Sequence, residues 1–134
     1  MSERDGSSIK KLHEEWLQYA RNDLAFAKSG LREGFYPYVC ILGQQAVEKA
    51  MKGYLVSQGK TYPKFHGLIK LHRLMEVSWL KDHLPSIRKL SEFYVPLRYP
   101  DAAGTLPEGP PGEAIASKAL HWAEEIVSLI ESKT

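Results

Sequence analysis

Apolar residues recur every three or four positions along most of this chain, and no run combines strict alternation with flanking turn signals. That pattern predicts helices and no sheet. The first helix is predicted from about Ile9 to Leu31, with Leu12, Trp16, Tyr19, Ala20, Leu24, Ala27 and Leu31 as its apolar stripe. Gly30 and Gly34 bracket its end, and the short link Glu33-Gly34-Phe35 implies an antiparallel neighbour. The second helix is predicted from about Tyr36 to Gln58, with Pro37 in its first turn and Gly59 as its stop. Val39, Cys40, Gly43, Ala46, Val47, Ala50 and Tyr54 fall on its buried side. Gln44, Glu48 and Lys52 lie at i, i+4 and i+8, so they share one face, which Gln45 and Lys49 widen. A solvated polar face is expected there.

Residues 60–65 read as a connector holding Pro63. A third helix begins near His66 and carries Leu68, Leu71, Leu74 and Met75. A fourth runs from about Pro85 to Val95, with Ile87, Leu90, Phe93 and Tyr94 inward, before Pro96 and Pro100 break the chain. Three glycines and three prolines between Gly104 and Glu113 make that stretch a loop. A last helix covers about Glu113 to Ser132, with Ile115, Ala119, Trp122, Ile126, Leu129 and Ile130 on its stripe. The predicted fold is all-α, an up-and-down bundle of about five helices. Residues 1–8 are expected to form a flexible N-terminus, and residues 9–132 one helical domain.

Charge and cysteine content narrow the function. The net charge of +2 over 134 residues is too small to announce nucleic-acid binding. It is uneven: residues 1–75 hold 12 Lys/Arg against 7 Asp/Glu, or +5, and residues 76–134 hold 6 against 9, or −3. Cys40 is the sole cysteine, so no internal disulfide and no cysteine-based zinc site can form. Its apolar neighbours mark it as a core thiol. No apolar run follows the polar N-terminus and none reaches the ~18 residues of a membrane span, so a cytoplasmic protein without membrane contact is expected. His13, His72, His83 and His121 show no metal-ligand spacing, and neither a metal nor a cofactor is expected.

Several elements together resemble a known family. They are Trp16 to Ala27 (W-x-x-x-A-x-x-D-L-x-x-A), the Gly34-x-Tyr36 turn, Cys40 through Lys52, His66-x-Leu68-x-x-Leu71, and Leu97-Arg98-Tyr99-Pro100-Asp101. In this order and at this length they are similar to the HEPN domain (higher eukaryotes and prokaryotes nucleotide-binding), in its small stand-alone prokaryotic form. The resemblance covers about residues 9–130. It implies a four- or five-helix bundle, usually a homodimer. It also implies pairing with a minimal nucleotidyltransferase in toxin–antitoxin systems, nucleotide or RNA binding, and, in some members, metal-independent endoribonuclease activity.

The ribonuclease members carry an arginine, four to six arbitrary residues, then a histidine. A histidine can exchange protons with the ribose 2′-hydroxyl and the leaving oxygen, and an arginine can neutralise charge on the phosphate. Here none of Arg4, Arg21, Arg32, Arg73, Arg88 and Arg98 has a histidine five to seven positions on. The expectation is therefore a binding module rather than an enzyme.

Arg98, Tyr99 and Asp101 form the first-ranked candidate site: Arg98 on phosphate, Tyr99 stacking or donating, Asp101 orienting the arginine. The same residues also fit a helix-end cap with a local ion pair. Gln45, Lys49 and Lys52 are further ligand-binding candidates, although a solvated face is the better reading of them. Asp23, beside Leu24 in mid-helix, points to an interhelical partner, Lys49 or Lys52. If the chain is a divergent nuclease, His66 and Arg98 are its catalytic candidates. A third alternative is a helical adaptor without ligand.

Overall fold

The computed structural model describes residues 6–64, 67–93 and 109–134. Among them are five α-helices and no strands: α1 (Gly6–Glu33), α2 (Tyr36–Ser57), α3 (Leu68–Met75), α4 (Leu84–Ser91) and α5 (Glu113–Ser132). A 3₁₀ turn at Lys81–His83 leads into α4, whose first turn holds Pro85. The all-α bundle expected from periodicity is what forms.

The ends of the two long helices explain the hairpin. Phe35 N–H donates to Gly30 O at 2.9 Å and Gly34 N–H to Leu31 O at 3.4 Å, with Gly34 at φ +86°. This is a Schellman motif, which needs the left-handed conformation that glycine adopts without a Cβ clash. α2 ends the same way: Lys60 N–H reaches Leu55 O at 2.8 Å and Gly59 N–H reaches Val56 O at 3.0 Å, with Gly59 at φ +70°. The side chain of Lys60 then caps another helix. Its Nζ donates to Leu74 O at 3.2 Å and Met75 O at 3.3 Å, satisfying carbonyls at the end of α3 and fixing the α2–α3 connector.

α2 is the centre of the bundle. Val39, Cys40, Ala46, Val47, Ala50, Met51 and Leu55 are fully buried on it. Leu17, Ala20 and Ala27 of α1 and Leu68 and Leu71 of α3 close on α2, as do Ile87 and Leu90 of α4 and Ala119, Ala123, Ile126 and Ile130 of α5. Each large aliphatic side chain so enclosed contributes about 1.5–3 kcal/mol. Small residues let α2 and α5 approach: a Cβ placed on Gly43 would lie 3.4 Å from Ala119 O and 3.5 Å from Ala123 Cβ.

Four expectations are corrected. α1 starts at Gly6 rather than Ile9, extending into the segment expected to be flexible. Tyr19, placed on the buried stripe of α1, is 59% exposed, because Leu17, Ala20 and Ala27 carry the contact with α2 instead. The polar side of α2 is not fully solvated: Gln44 is 1% and Lys52 7% exposed, and Trp16 of α1 and Tyr62 of the α2–α3 connector cover Lys52. α4 is shorter than expected, Leu84–Ser91, while α3 spans Leu68–Met75 and Phe93 is buried as expected. Tyr94, Val95 and the Pro96 and Pro100 breaks lie outside the described residues.

Candidate functional site

Among the described residues, polar side chains converge between α1 and α2. Lys49 Nζ donates to Asp23 Oδ2 at 2.6 Å, joining the two helices. One turn on, Lys52 Nζ donates to Glu48 Oε2 at 3.2 Å, and Gln44 Nε2 donates to Glu48 Oε1 at 3.3 Å. Both oxygens of Glu48 are thus engaged. Lys52 also lies 5.6 Å from the centroid of the Trp16 ring and 5.3 Å from that of Tyr62. Those two rings meet edge to face at 5.8 Å. An ammonium held against aromatic faces and a carboxylate can be removed from bulk water without losing its charge compensation.

Below this cage, His13 Nδ1 is 3.1 Å from Gly53 O. A carbonyl can only accept, so the imidazole carries its proton on Nδ1 and presents Nε2 elsewhere. Trp16 Nε1 is buried with no hydrogen-bond partner among the described residues, as is His72 Nε2 on α3. Burial pushes the pKa of His72 below its ordinary value, which favours the neutral ring.

Gln45, Lys49 and Lys52 all stand on the α2 side of this junction; Gln45 and Lys49 are half-buried and Lys52 is buried. The Asp23 partner suggested by the sequence is Lys49. His66, Arg98, Tyr99 and Asp101 lie outside the described residues, as do residues 104–108 of the loop that follows. No group of three or more histidine, cysteine or acidic side chains is assembled for a metal among the described residues. Cys40 is buried, and desolvation pushes its thiol pKa up to about 12, so it is no nucleophile at neutral pH.

Sequence reasoning missed two features. The Trp16–Tyr62 cage depends on a connector residue whose position no periodicity fixes. The second is an exposed aromatic surface of Tyr19, Phe26, Phe35 and Tyr38, 57–72% exposed. The spacing of seven between Tyr19 and Phe26 was a signal for it, since these residues share a helix face.

A family model described as the HEPN domain matches residues 13–133. The chain belongs to the HEPN domain family. The architecture agrees with solved relatives. It is similar to TT1696 from Thermus thermophilus, with a TM-score of 0.80 and 30% identity over 91% of this chain and 98% of that one. It is also similar to an archaeal HEPN homologue, with a TM-score of 0.71 and 29% identity over 90% and 96% of the two chains. A sequence relative is MJ1304 of Methanocaldococcus jannaschii, named as a candidate toxin, 33% identical over 95 residues. That match covers 64% of this chain and 62% of the relative's length. No described helix is long and apolar enough to cross a membrane.

Proposed function

We propose that this chain is a nucleotide- or RNA-associated HEPN module of a toxin–antitoxin-type pair, acting as a homodimer in the cytoplasm with a minimal nucleotidyltransferase as its partner. The observation that carries the reading is the HEPN match over residues 13–133 combined with the likeness to a candidate toxin. The chain lacks the arginine–histidine spacing of the ribonuclease members, which favours binding over hydrolysis. In this reading Arg98 holds a phosphate, Tyr99 stacks or donates, and Asp101 orients the guanidinium. Gln45 extends the ligand contact, while Lys49 and Lys52 are held by Asp23 and Glu48.

The test is isolation of the full chain at native expression level with its stoichiometric partners, followed by melting with and without nucleotides. Recovery of a nucleotidyltransferase, and a nucleotide-dependent rise in Tm that Arg98→Ala abolishes, are the expected results. Recovery of the chain alone with no shift from any nucleotide overturns the reading.

The likeness to a candidate toxin also favours a second reading, a divergent ribonuclease using Arg98 with His66. It requires both side chains to reach one phosphate within hydrogen-bond distances of roughly 3 Å. Growth arrest on induction that both Arg98→Ala and His66→Ala relieve, with RNA cleavage by the purified chain, would select it over the binding module.

A further inference from the structure

The exposed aromatic surface is a feature that the polar junction leaves unexplained. Phe26, Phe35 and Tyr38 are 72%, 57% and 64% exposed, and with Val39, Ile41 and Leu42 they line an open apolar groove of about 300 Å³. Tyr19, 59% exposed, stands two turns away on the same face of α1 as Phe26, a rise of about 10 Å. Between the two levels lies the Asp23–Lys49 pair. The face therefore reads as an apolar groove, a neutralised polar band, and an aromatic ridge.

We propose that a second copy of this chain docks on this face, with a two-fold axis at the level of Asp23 and Lys49, so that Tyr19 of each copy enters the groove of the other. The proposal rests on the dimer named under the proposed function and adds to it the surface and the register.

Three observations favour a second copy over another occupant. The first is area. An enclosed aromatic residue buries about 150–250 Å². At the exposures observed, the four leave roughly 500 Å² open per copy, or about 1,000 Å² for two. The four aromatic side chains alone thus supply the roughly 1,000 Å² that a biological interface has to clear. The second is shape. A two-fold contact is made by the same patch on both sides, so the patch must contain both ridge and recess, spaced about a common centre. Tyr19 and the Phe26–Phe35–Tyr38 groove meet that condition. The third is charge. Asp23 and Lys49 neutralise one another, so two such bands can face each other without like-charge repulsion. The basic residues Arg21, Lys28 and Arg32 of α1 line a different depression, with Glu124 of α5.

Sedimentation equilibrium of the full chain between about 1 and 100 µM tests this, with Phe26→Glu and with the milder double variant Phe26→Gln/Tyr38→Gln. Both sites are exposed, and far-UV circular dichroism checks that each variant keeps its helices. The expected result is a wild-type dimer whose dissociation constant rises at least thirtyfold in either variant. A wild-type chain that stays monomeric overturns both the surface and the dimer. A dimer that neither variant weakens overturns the surface alone and leaves the dimer standing. Register is read by mixing chains that carry Tyr19→Cys with chains that carry Tyr38→Cys, the native thiol Cys40 being buried. Mixed disulfide dimers support the crossed arrangement, and exclusive pairing of like with like overturns it.

Discussion

Lys49 Nζ lies 2.6 Å from Asp23 Oδ2, across the seam between the two longest helices of the bundle, with both side chains largely withdrawn from solvent at 27% and 15% exposure. The pair sits between the regimes of a surface ion pair, worth about 0–1 kcal/mol, and a buried one, whose breakage costs about 3–5 kcal/mol. Asp23→Ala strands the ammonium beside α1. We expect a loss of about 1–3 kcal/mol in urea unfolding. The double variant Asp23→Ala/Lys49→Met should recover part of it, because no half-buried charge is left uncompensated. Equal stability of the single and double variants would show the pair to be uncoupled.

Gly53 marks a close approach of α1 to α2. A Cβ there would stand 3.0 Å from Trp16 Cβ and 3.5 Å from His13 O, and both contacts belong to the helix packed against it. Neither a Cβ nor a main-chain oxygen can swing aside, so α1 itself must move. Helix propensity favours alanine by roughly 1 kcal/mol, whereas overpacking costs about 1–3 kcal/mol. The second effect should win. We expect Gly53→Ala to lower Tm by several degrees and to lengthen the His13–Gly53 hydrogen bond, visible as a shift of the His13 ring resonances. A higher Tm would mean that α1 slides at little cost.

Most of this architecture was legible in the chain, and the exceptions have physical causes. Val39, Cys40, Ala46, Val47 and Ala50 follow the helical period and are buried as the period requires. The polar side of α2 was misread because periodicity reports which residues share a face, not what covers that face. Lys52 is enclosed by rings from other segments, Trp16 of α1 and Tyr62 of the connector, and Gln44 is buried with its amide donating to Glu48. A polar residue is buried when its hydrogen bonds and charge are met in place, which is a property of the assembled fold. Tyr19 failed in the opposite direction: its apolar ring satisfied the stripe while its neighbours Leu17 and Ala20 took the core. Of the candidate site, the Asp23–Lys49 contact was foreseeable from a mid-helix carboxylate, whereas the Lys60 cap on α3 joins segments fourteen residues apart with no motif to announce it.

Cys40 links the core to alkaline pH. Its thiol pKa rises from 9.0 to about 12 on folding because burial disfavours the thiolate. Between those values the unfolded chain gives up the proton and the folded chain keeps it. Fewer protons are bound in the unfolded state, so stability falls as pH rises, by up to about 1.4 kcal/mol per pH unit. The contribution is fully present below pH 9. We expect wild type to lose stability relative to Cys40→Ala as pH is raised from 8 to 10.5, measured by urea unfolding at each pH. The native thiol should also resist alkylation at pH 8 and react at the rate of a free cysteine once unfolded. Parallel pH profiles for the two chains would exclude thiol ionisation as the source.

Glu76 closes α3 in the left-handed conformation, at φ 54° and ψ 46°, and it is the sole non-glycine residue with positive φ among those described. A side chain there costs roughly 1–2 kcal/mol through the clash of its Cβ with the following carbonyl. Its carboxylate lies 3.6 Å from Lys60 Nζ, but Glu76 is 77% exposed and such pairs contribute little. The firmer role of Lys60 is to donate to Leu74 O and Met75 O, and that does not require Glu76. Glycine removes the clash and adds some freedom to the unfolded chain, an opposing effect of about 0.5–1 kcal/mol. The balance favours Glu76→Gly by a few tenths to about 1 kcal/mol, and Tm should rise by a few degrees. Lys60→Met should act in the opposite direction by removing the cap from the end of α3, and should do so equally in the Glu76→Gly background. A drop in Tm for Glu76→Gly, or failure of the two effects to add, would show instead that the carboxylate is what holds Lys60 over the helix end.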